Sequence, residues 1–241
     1  MKNIQSIDEF WGAVIRRDMS SAVREEEKFH NIEELIEYLE REIKKQGKNV
    51  VIRNLDVSGI EDLSYLSNCL LGGVETLDLS DWNTSGVKDM SNMFKWDYNI
   101  KDLNLSGWDT SGVENMSHMF DECVSLKSLD LSGWQADSVK DMGHMFYDCR
   151  NLQSLDLSGW NTGNVTNMRS MFFSCRSLQS LNLSGWDAGK VIDMCWMFQN
   201  CINLKSLELP GWEVKNIENM RGMFSNCPAP YAVVDNKIVR I

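Results

Sequence analysis

The 241-residue chain has no apolar run near the roughly 18 residues that a membrane-spanning helix needs. Its N-terminal stretch carries no apolar segment of signal-peptide length and no small-residue cleavage site. As written, the chain is expected in the cytoplasm, or at the cell surface if a leader has been removed. A basic excess is lacking as well. Net charge is −11, with 9 Lys/Arg against 11 Asp/Glu in residues 1–49 and 15 against 24 in residues 50–241. A nucleic-acid partner needs a basic stripe and is therefore not expected. Acidity on the longer part is compatible with a basic protein partner, and equally with simple solubility. Catalytic equipment is missing too. There is no glycine loop to cradle phosphate, no Ser/His/Asp set and no acid–base pair placed by spacing. Cys-x-x-Cys spacing is absent, so neither a cofactor nor a metal is expected. An enzyme would have to keep its site in residues 1–49, which hold one His, no Cys and no glycine-rich loop.

What is present is repetition. Trp82, Trp108, Trp134, Trp160, Trp186 and Trp212 follow one another every 26 residues. Phe94, Phe120, Phe146, Phe172, Phe198 and Phe224 keep the same step, as do Cys123, Cys149, Cys175, Cys201 and Cys227. A fixed period of this size marks a solenoid, in which each coil touches only its neighbours and shares one continuous core with them. Six full repeats span 74–229, starting at Val74, Ile100, Leu126, Leu152, Leu178 and Leu204. Residues 50–73 read as a degenerate first coil without the Trp, Met and Phe markers.

Residues 1–49 lie outside the repeat and read as helical. Ser6 and Glu9 have capping-box spacing ahead of Phe10, Trp11, Val14 and Ile15. Residues 18–30 read as a polar linker. After Asn31, apolar residues Ile32, Leu35, Ile36, Leu39 and Ile43 recur at helical spacing, with Lys44 and Lys45 near the end and Gly47 as the stop. This region is expected to cap the open core edge of the first coil. Residues 230–241 read as two short strands around Asp235-Asn236, a β-hairpin cap at the other end.

Within a coil, Leu-x-x-Leu-x-Leu comes first. In the coil from Leu152, the period of 2 turns Leu155 and Leu157 inward and Ser154, Asp156 and Ser158 outward, as in a short strand. Val165, Met168, Met171, Phe172 and Cys175 then follow in steps of 3, 3, 1 and 3, which places them on one face of one or two helical turns. Asn161-Thr162 and their counterparts supply groups that cap helices and form turns. The expected fold is an α/β solenoid. A right-handed coil would put a parallel β-sheet on the concave face and short helices on the convex face.

This pattern resembles a leucine-rich repeat. The fuller coil, Leu-x-Ser-Leu-Asp-Leu-Ser-Gly-Trp followed by Val-x-x-Met-x-x-Met-Phe-x-x-Cys, is similar to the BspA-like bacterial surface-protein repeats, including their Mycoplasma-type group of unknown function. The resemblance covers about residues 74–229 and rests on six concordant copies. It implies a leucine-rich-repeat solenoid, adhesion or other protein binding, and no catalysis. Residues 1–49 match nothing in that family.

The ladders themselves read as scaffold. Trp at every coil fills the turn with a large apolar side chain whose indole N–H reaches a carbonyl. The five Cys read as small buried thiols. Candidate partner-binding residues lie elsewhere. On the outward sheet face they are Asp78, Asp102, Asn104, Asp130, Asp156, Asn182 and Glu208. Trp96, Tyr98 and Trp196 break the repeat with aromatics that the coil does not demand, and such residues dominate interface energetics. His118 and His144, one coil apart, read as surface residues. The expected function is non-catalytic protein binding, as an intracellular acidic inhibitor of immunity type directed at a basic protein. The alternative is a fragment of a BspA-like adhesin that binds host or cell-surface proteins. If the Trp ladder is scaffold, Trp160→Ala costs on the order of 3–5 kcal/mol in urea unfolding; a loss under about 1 kcal/mol would contradict that role.

Overall fold

The computed structural model describes residues 27–66, 73–209, 212, 216–234 and 237–240. The helix expected around Ser6 to Ile15, Cys69 and the hairpin turn at Asp235-Asn236 lie outside these. The chain forms a parallel β-solenoid of about six turns. Short strands β1 (Glu27–Lys28), β2 (Asn49–Val51) and β3 (Leu55–Asp56) precede it or belong to its first coil. Strands β4 (Thr76–Asp78) and β5 (Asp102–Asn104) extend β2 into one three-stranded parallel sheet. Strands β6 (Ser154–Asp156), β7 (Ser180–Asn182) and β8 (Ser206–Glu208) make a second. Register follows the repeat, with Leu77 opposite Leu103 and Leu155 opposite Leu181 opposite Leu207. The coil between the two sheets keeps only a bridge from Ser128 to Ser154, although Leu129 and Leu131 still point into the core.

Helix α1 (Ile32–Gln46) begins where Asn31 accepts the Glu34 N–H at 2.9 Å. It ends at Gly47, whose φ of +77° lets its N–H reach the Ile43 carbonyl. Leu35 and Leu39 are buried on its inner face. The Gln46 amide clasps β2, donating to the Val51 carbonyl at 3.2 Å and accepting the Val51 N–H at 2.8 Å. It thereby occupies backbone groups of an edge strand that would otherwise be open to pairing. The polar stretch before α1 is not wholly linker, because β1 pairs in parallel with β3. At the other end, β9 (Tyr231–Val234) and β10 (Lys237–Arg240) pair antiparallel, and the Tyr231 ring stacks on Phe224 at 6.2 Å.

The Met–Phe half of each coil departs from expectation. Its spacing predicts a short helix on the convex side, yet α1 is the only α-helix among the described residues. Two residues per coil take left-handed backbone, from Asn92 and Trp96 through to Gly222 and Asn226, with φ between +53° and +68°. Each such residue interrupts a helix. The hydrogen bonds show what replaces it. Met116, His118, Phe120 and Glu122 donate their N–H groups to carbonyls of the next coil, at Asp141, Gly143, Met145 and Tyr147, over 2.7–2.9 Å. The N–H groups between them close tight turns, as Met119 does on Met116 and Cys123 on Phe120. Helical bonding within the coil is thus given up for bonding between coils, and the expected layer of short helices is instead a second wall of backbone ladder. The apolar spacing is unaffected, since successive three- and four-residue turns also bring Val, Met, Phe and Cys to one side. Met116, Met119, Phe120 and Cys123 are all buried.

A row of acidic and amide side chains runs along this second wall. Asp89, Asn115, Asp141, Asn167, Asp193 and Asn219 are bridged coil to coil. Each accepts the N–H of the residue two positions on, for example Ser91 on Asp89 and Arg169 on Asn167. Each Asn also donates to the preceding Asp: Asn115 to Asp89 at 3.0 Å, Asn167 to Asp141 at 3.0 Å and Asn219 to Asp193 at 3.4 Å. From Asp89 onward the alternation keeps half-buried carboxylates from stacking on one another, whereas the exposed Asp62 of the degenerate coil does bridge to Asp89. Asn167→Asp would put three in a row and remove a donor, costing about 1–3 kcal/mol at neutral pH. Like charges raise a carboxyl pKa in the folded state, so this cost grows as pH climbs past about 4 and shrinks in acid. Urea unfolding of Asn167→Asp at pH 4 and pH 7 checks this; an equal loss at both would assign the alternation to shape alone.

Candidate binding surfaces

The outward sheet face divides along its length. At its N-terminal end Asp78 is fully buried beneath Arg53, whose Nε and Nη2 both donate to it. Nearby, Lys48 and Lys101 each reach Glu75 at 2.6 Å, and their hydrogen bonds hold its carboxyl down to about 2. Asp102 and Asn104 are half-buried, and burial pushes the Asp102 carboxyl up. From coil 3 onward the face opens. Asp130, Asp156, Asn182 and Glu208 are exposed, with Ser154, Ser180 and Ser206 between them. They line an open groove of about 410 Å³. A second groove of about 570 Å³ runs between coils 2 and 3 beside Trp108 and Trp134, and Asp130 and Ser132 line both. The structure therefore brings Asp130, Asp156, Asn182 and Glu208 together and withdraws Asp78.

Each of these Asx side chains also has a local duty. Asp130 accepts the Ser132 N–H, Asp156 the Ser158 N–H and Asn182 the Ser184 N–H, each at 3.0 Å. This Asx turn ends each strand and starts the chain toward Trp. The Asp156 hydrogen bonds with Ser158 hold its carboxyl below the usual range. What remains for a partner is the second oxygen.

The other irregular residues stand on the turn edge, formed by the Met-Phe segments and the residues beside them. Trp96 is 44% exposed and Tyr98 47% exposed. Lys95 lies over the Trp96 ring at 4.8 Å and reaches Asp121 at 3.1 Å. His118 also bonds Asp121, at 2.8 Å, and stacks on His144 with ring centroids 4.5 Å apart. Burial, reinforced by His118, takes the His144 imidazole down to about 4, so it is neutral at pH 7. His144 continues to Tyr147 at 5.3 Å, and Tyr147 stacks on Phe173 at 4.7 Å. Trp196 is half-buried between the Arg169 guanidinium, 4.6 Å from its ring, and Gly222. A Cβ at Gly222 would meet Trp196 Cδ1 at 2.7 Å, so local packing accounts for much of this residue. Tyr147 and Phe173 went unsingled by sequence reasoning, although one step of the repeat connects them.

Trp82, Trp108 and Trp186 donate to the carbonyls of Ile52, Leu79 and Leu157 at 2.7–2.8 Å, and Trp160 to Leu131 at 3.5 Å. The Trp134 and Trp212 indoles are buried without such a partner. Cys123, Cys149, Cys175 and Cys201 donate to Phe carbonyls one coil back at 2.9–3.1 Å, and burial pushes their thiols up, away from the nucleophilic thiolate. All the described Cys are free thiols. Among the described residues no three His, Cys, Asp or Glu side chains converge as metal ligands would, and no helix is long and apolar enough to cross a membrane.

The coil geometry leads to a comparison with known proteins. A family described as "Mycoplasma protein of unknown function, DUF285" matches residues 65–156 and 151–232. The chain belongs to that family. No curated protein matches it. The two DUF285 matches together cover the six coils of 74–229 and the end of the degenerate coil before them.

Coil 1 alone lacks the ladder Cys of this DUF285 repeat and carries Asp97 in its place. Asp97 is buried with Oδ2 unpartnered, and burial pushes its carboxyl up to about 8. The native state thus holds a proton that the unfolded chain releases near pH 4, and stability falls as pH rises from about 4 toward 8. Asp97→Cys, which restores the ladder, should stabilise the fold by roughly 2–4 kcal/mol at pH 7.5 and by little at pH 4.5. Urea midpoints at the two pH values decide this, and a gain independent of pH would clear the buried carboxyl of blame.

Proposed function

We propose that this chain is a non-catalytic protein-binding solenoid, an acidic binder or inhibitor of immunity type acting on a basic protein. The observation that carries this reading is the open half of the sheet face. Asp130, Asp156 and Glu208 are exposed along one groove, and no ion pair engages them among the described residues. The closed half, where Arg53 and Lys101 neutralise Asp78 and Glu75, offers a cation much less. Charge complementarity of this kind steers encounter and selects partners. We further read the coil as a variant of the BspA-like leucine-rich repeat, with α1 and the β9–β10 hairpin as its caps. On that resemblance an adhesin that binds host or cell-surface proteins is the second reading. Chemistry plays no part in either, and the buried thiols of Cys123, Cys149, Cys175 and Cys201, pushed up by burial, support that view.

The test is a pull-down from native lysate at low and high salt, with wild type and Asp130→Lys/Asp156→Lys. Both substitutions lie on exposed positions. Capture of a basic protein that weakens with salt and is lost in the variant is the expected result. Retention indifferent to both salt and variant would remove the acidic face from consideration.

A further inference from the structure

The sheet wall is broken between coils 2 and 3. Among the described residues, no backbone hydrogen bond joins 101–108 to 127–134. The second wall runs past the break without interruption, with Asn115 bridged to Asp141 and Phe120 donating to the Met145 carbonyl. A side-chain bond is lost at the same place. Trp108 and Trp186 each donate to the Leu carbonyl one coil back, whereas the Trp134 indole N–H is buried and unpartnered. Its ladder acceptor is the Leu105 carbonyl, and Leu105 and Trp134 both line the groove of about 570 Å³.

The corner after each strand shows the cause. Up to coil 2 it is left-handed, at Asn54, Asp81 and Gly107, with φ of +58°, +60° and +83°. The Asn54 and Asp81 N–H groups donate along the stack, to the Ser80 and Ser106 carbonyls. In coils 3 to 5 the corner differs. Gly133, Gly159 and Gly185 are not left-handed, and Trp134, Trp160 and Trp186 close tight turns on the Leu131, Leu157 and Leu183 carbonyls at 3.0–3.1 Å. The two corners are related as type II is to type I, by reversal of the central peptide. Gly107 is the last of the left-handed row, and the Ser132 carbonyl, next in the stack, belongs to a corner of the other kind.

Local sequence does not dictate the choice. Leu103–Asp109 and Leu181–Asp187 are both Leu-Asn-Leu-Ser-Gly-Trp-Asp, yet Gly107 is left-handed and Gly185 is not. Glycine adopts either conformation at little cost. Coil 3 is also loosely held on its other side. One isolated bridge, Ser128 to Ser154, ties its strand segment to coil 4, where coils 4 and 5 share a full three-residue pairing. Trp160 reaches the Leu131 carbonyl at 3.5 Å, against 2.8 Å for Trp186 to Leu157.

We propose that coil 3 is a two-state element: the Ser132–Gly133 peptide flips, Gly133 turns left-handed, and coil 3 leaves the C-terminal sheet for the N-terminal one. In the flipped state the Ser132 carbonyl accepts the Gly107 N–H, as Ser106 accepts that of Asp81, and Trp134 gains the Leu105 carbonyl. The break moves to coils 3 and 4, where Trp160 loses its long bond. Asp130 and Ser132 line both grooves, so the flip takes Asp130 out of line with Asp156 and toward Asn104. A cationic partner that grips Asp130 and Asp156 together holds the present state. The flip does not rest on the binding reading and is observable in the free protein.

The indole N–H groups of the isotope-labelled full chain report on both sides of coil 3. Relaxation-dispersion and saturation-transfer NMR are read for wild type, Gly133→Ala and Gly159→Ala. A Cβ at either glycine meets nothing within 4 Å, so both variants suit the present state. Ala resists left-handed backbone, so only Gly133→Ala blocks the flip. The expected result is one exchange process shared by Trp134 and Trp160 and absent from Trp108 and Trp186. Its minor-state population falls roughly tenfold in Gly133→Ala and is unchanged in Gly159→Ala. No exchange at Trp134, exchange shared by every corner, or exchange that survives Gly133→Ala overturns the proposal. Failure to capture a basic partner leaves these signals untouched, so the two readings fail separately.

Discussion

Every residue in this solenoid sits about one strand spacing from its own copies, and that constraint governs the rest of the structure. A side chain can be repeated through six coils only if it tolerates itself as a neighbour. Phenylalanine does, with ring centroids 5.4–5.7 Å apart and planes within 12°. Tryptophan does, at 5.7–6.4 Å. A thiol does, because it donates to a backbone carbonyl and not to the next thiol. A half-buried carboxylate does so poorly, and from Asp89 onward the second-wall row answers by alternating Asp with Asn so that each neighbour is a donor. Threonine solves the same problem through the backbone. Thr110 donates to the Gln135 carbonyl and accepts the Gln135 N–H, and Thr162 makes the same clasp with Asp187.

Ladder membership was legible from the 26-residue period, and burial followed from it. The Leu, Trp, Met and Phe of the interior coils are all inside. The N-cap at Asn31 and the stop at Gly47 were equally plain, since both depend on local chemistry alone. The conformation of the Met–Phe half was not legible. A helix and a series of tight turns share the same apolar spacing, and what separates them is where the N–H groups go. Glycine would have flagged left-handed backbone, but only Gly222 does so in these segments; the other positions hold Asn, His, Ser, Trp, Glu or Asp. The Asp–Asn alternation from Asp89 to Asn219 can be read off the period, yet it acquires meaning only once the second wall is known to bond coil to coil.

The outward acidic row illustrates a different limit. Period 2 placed Asp130, Asp156 and Glu208 on the open face, but period says nothing about counter-ions. Arg53 belongs to the degenerate first coil, so its capture of Asp78 lies outside any repeat argument. The Asx-turn duty of the row had a signal, the recurring Asx-Leu-Ser spacing of Asp130 to Ser132 and Asp156 to Ser158. That duty explains why the row persists whether or not anything binds it.

The two faces consequently differ in how freely they can vary. On the sheet side, the outward residue of coils 1 to 5 is an Asx two positions before a Ser, and the turn out of the strand depends on it. On the turn edge, the contacts between coils are made by the backbone, so the coil leaves the outward side chains unspecified. Bulky aromatics and Arg can enter there at the cost of local strain only, and they do so unevenly, in coil 1 and coils 3 to 6. A repeat that must bind something specific needs asymmetry along its length. In this chain the physical freedom to be asymmetric lies on the turn edge, where the backbone has already supplied the cohesion.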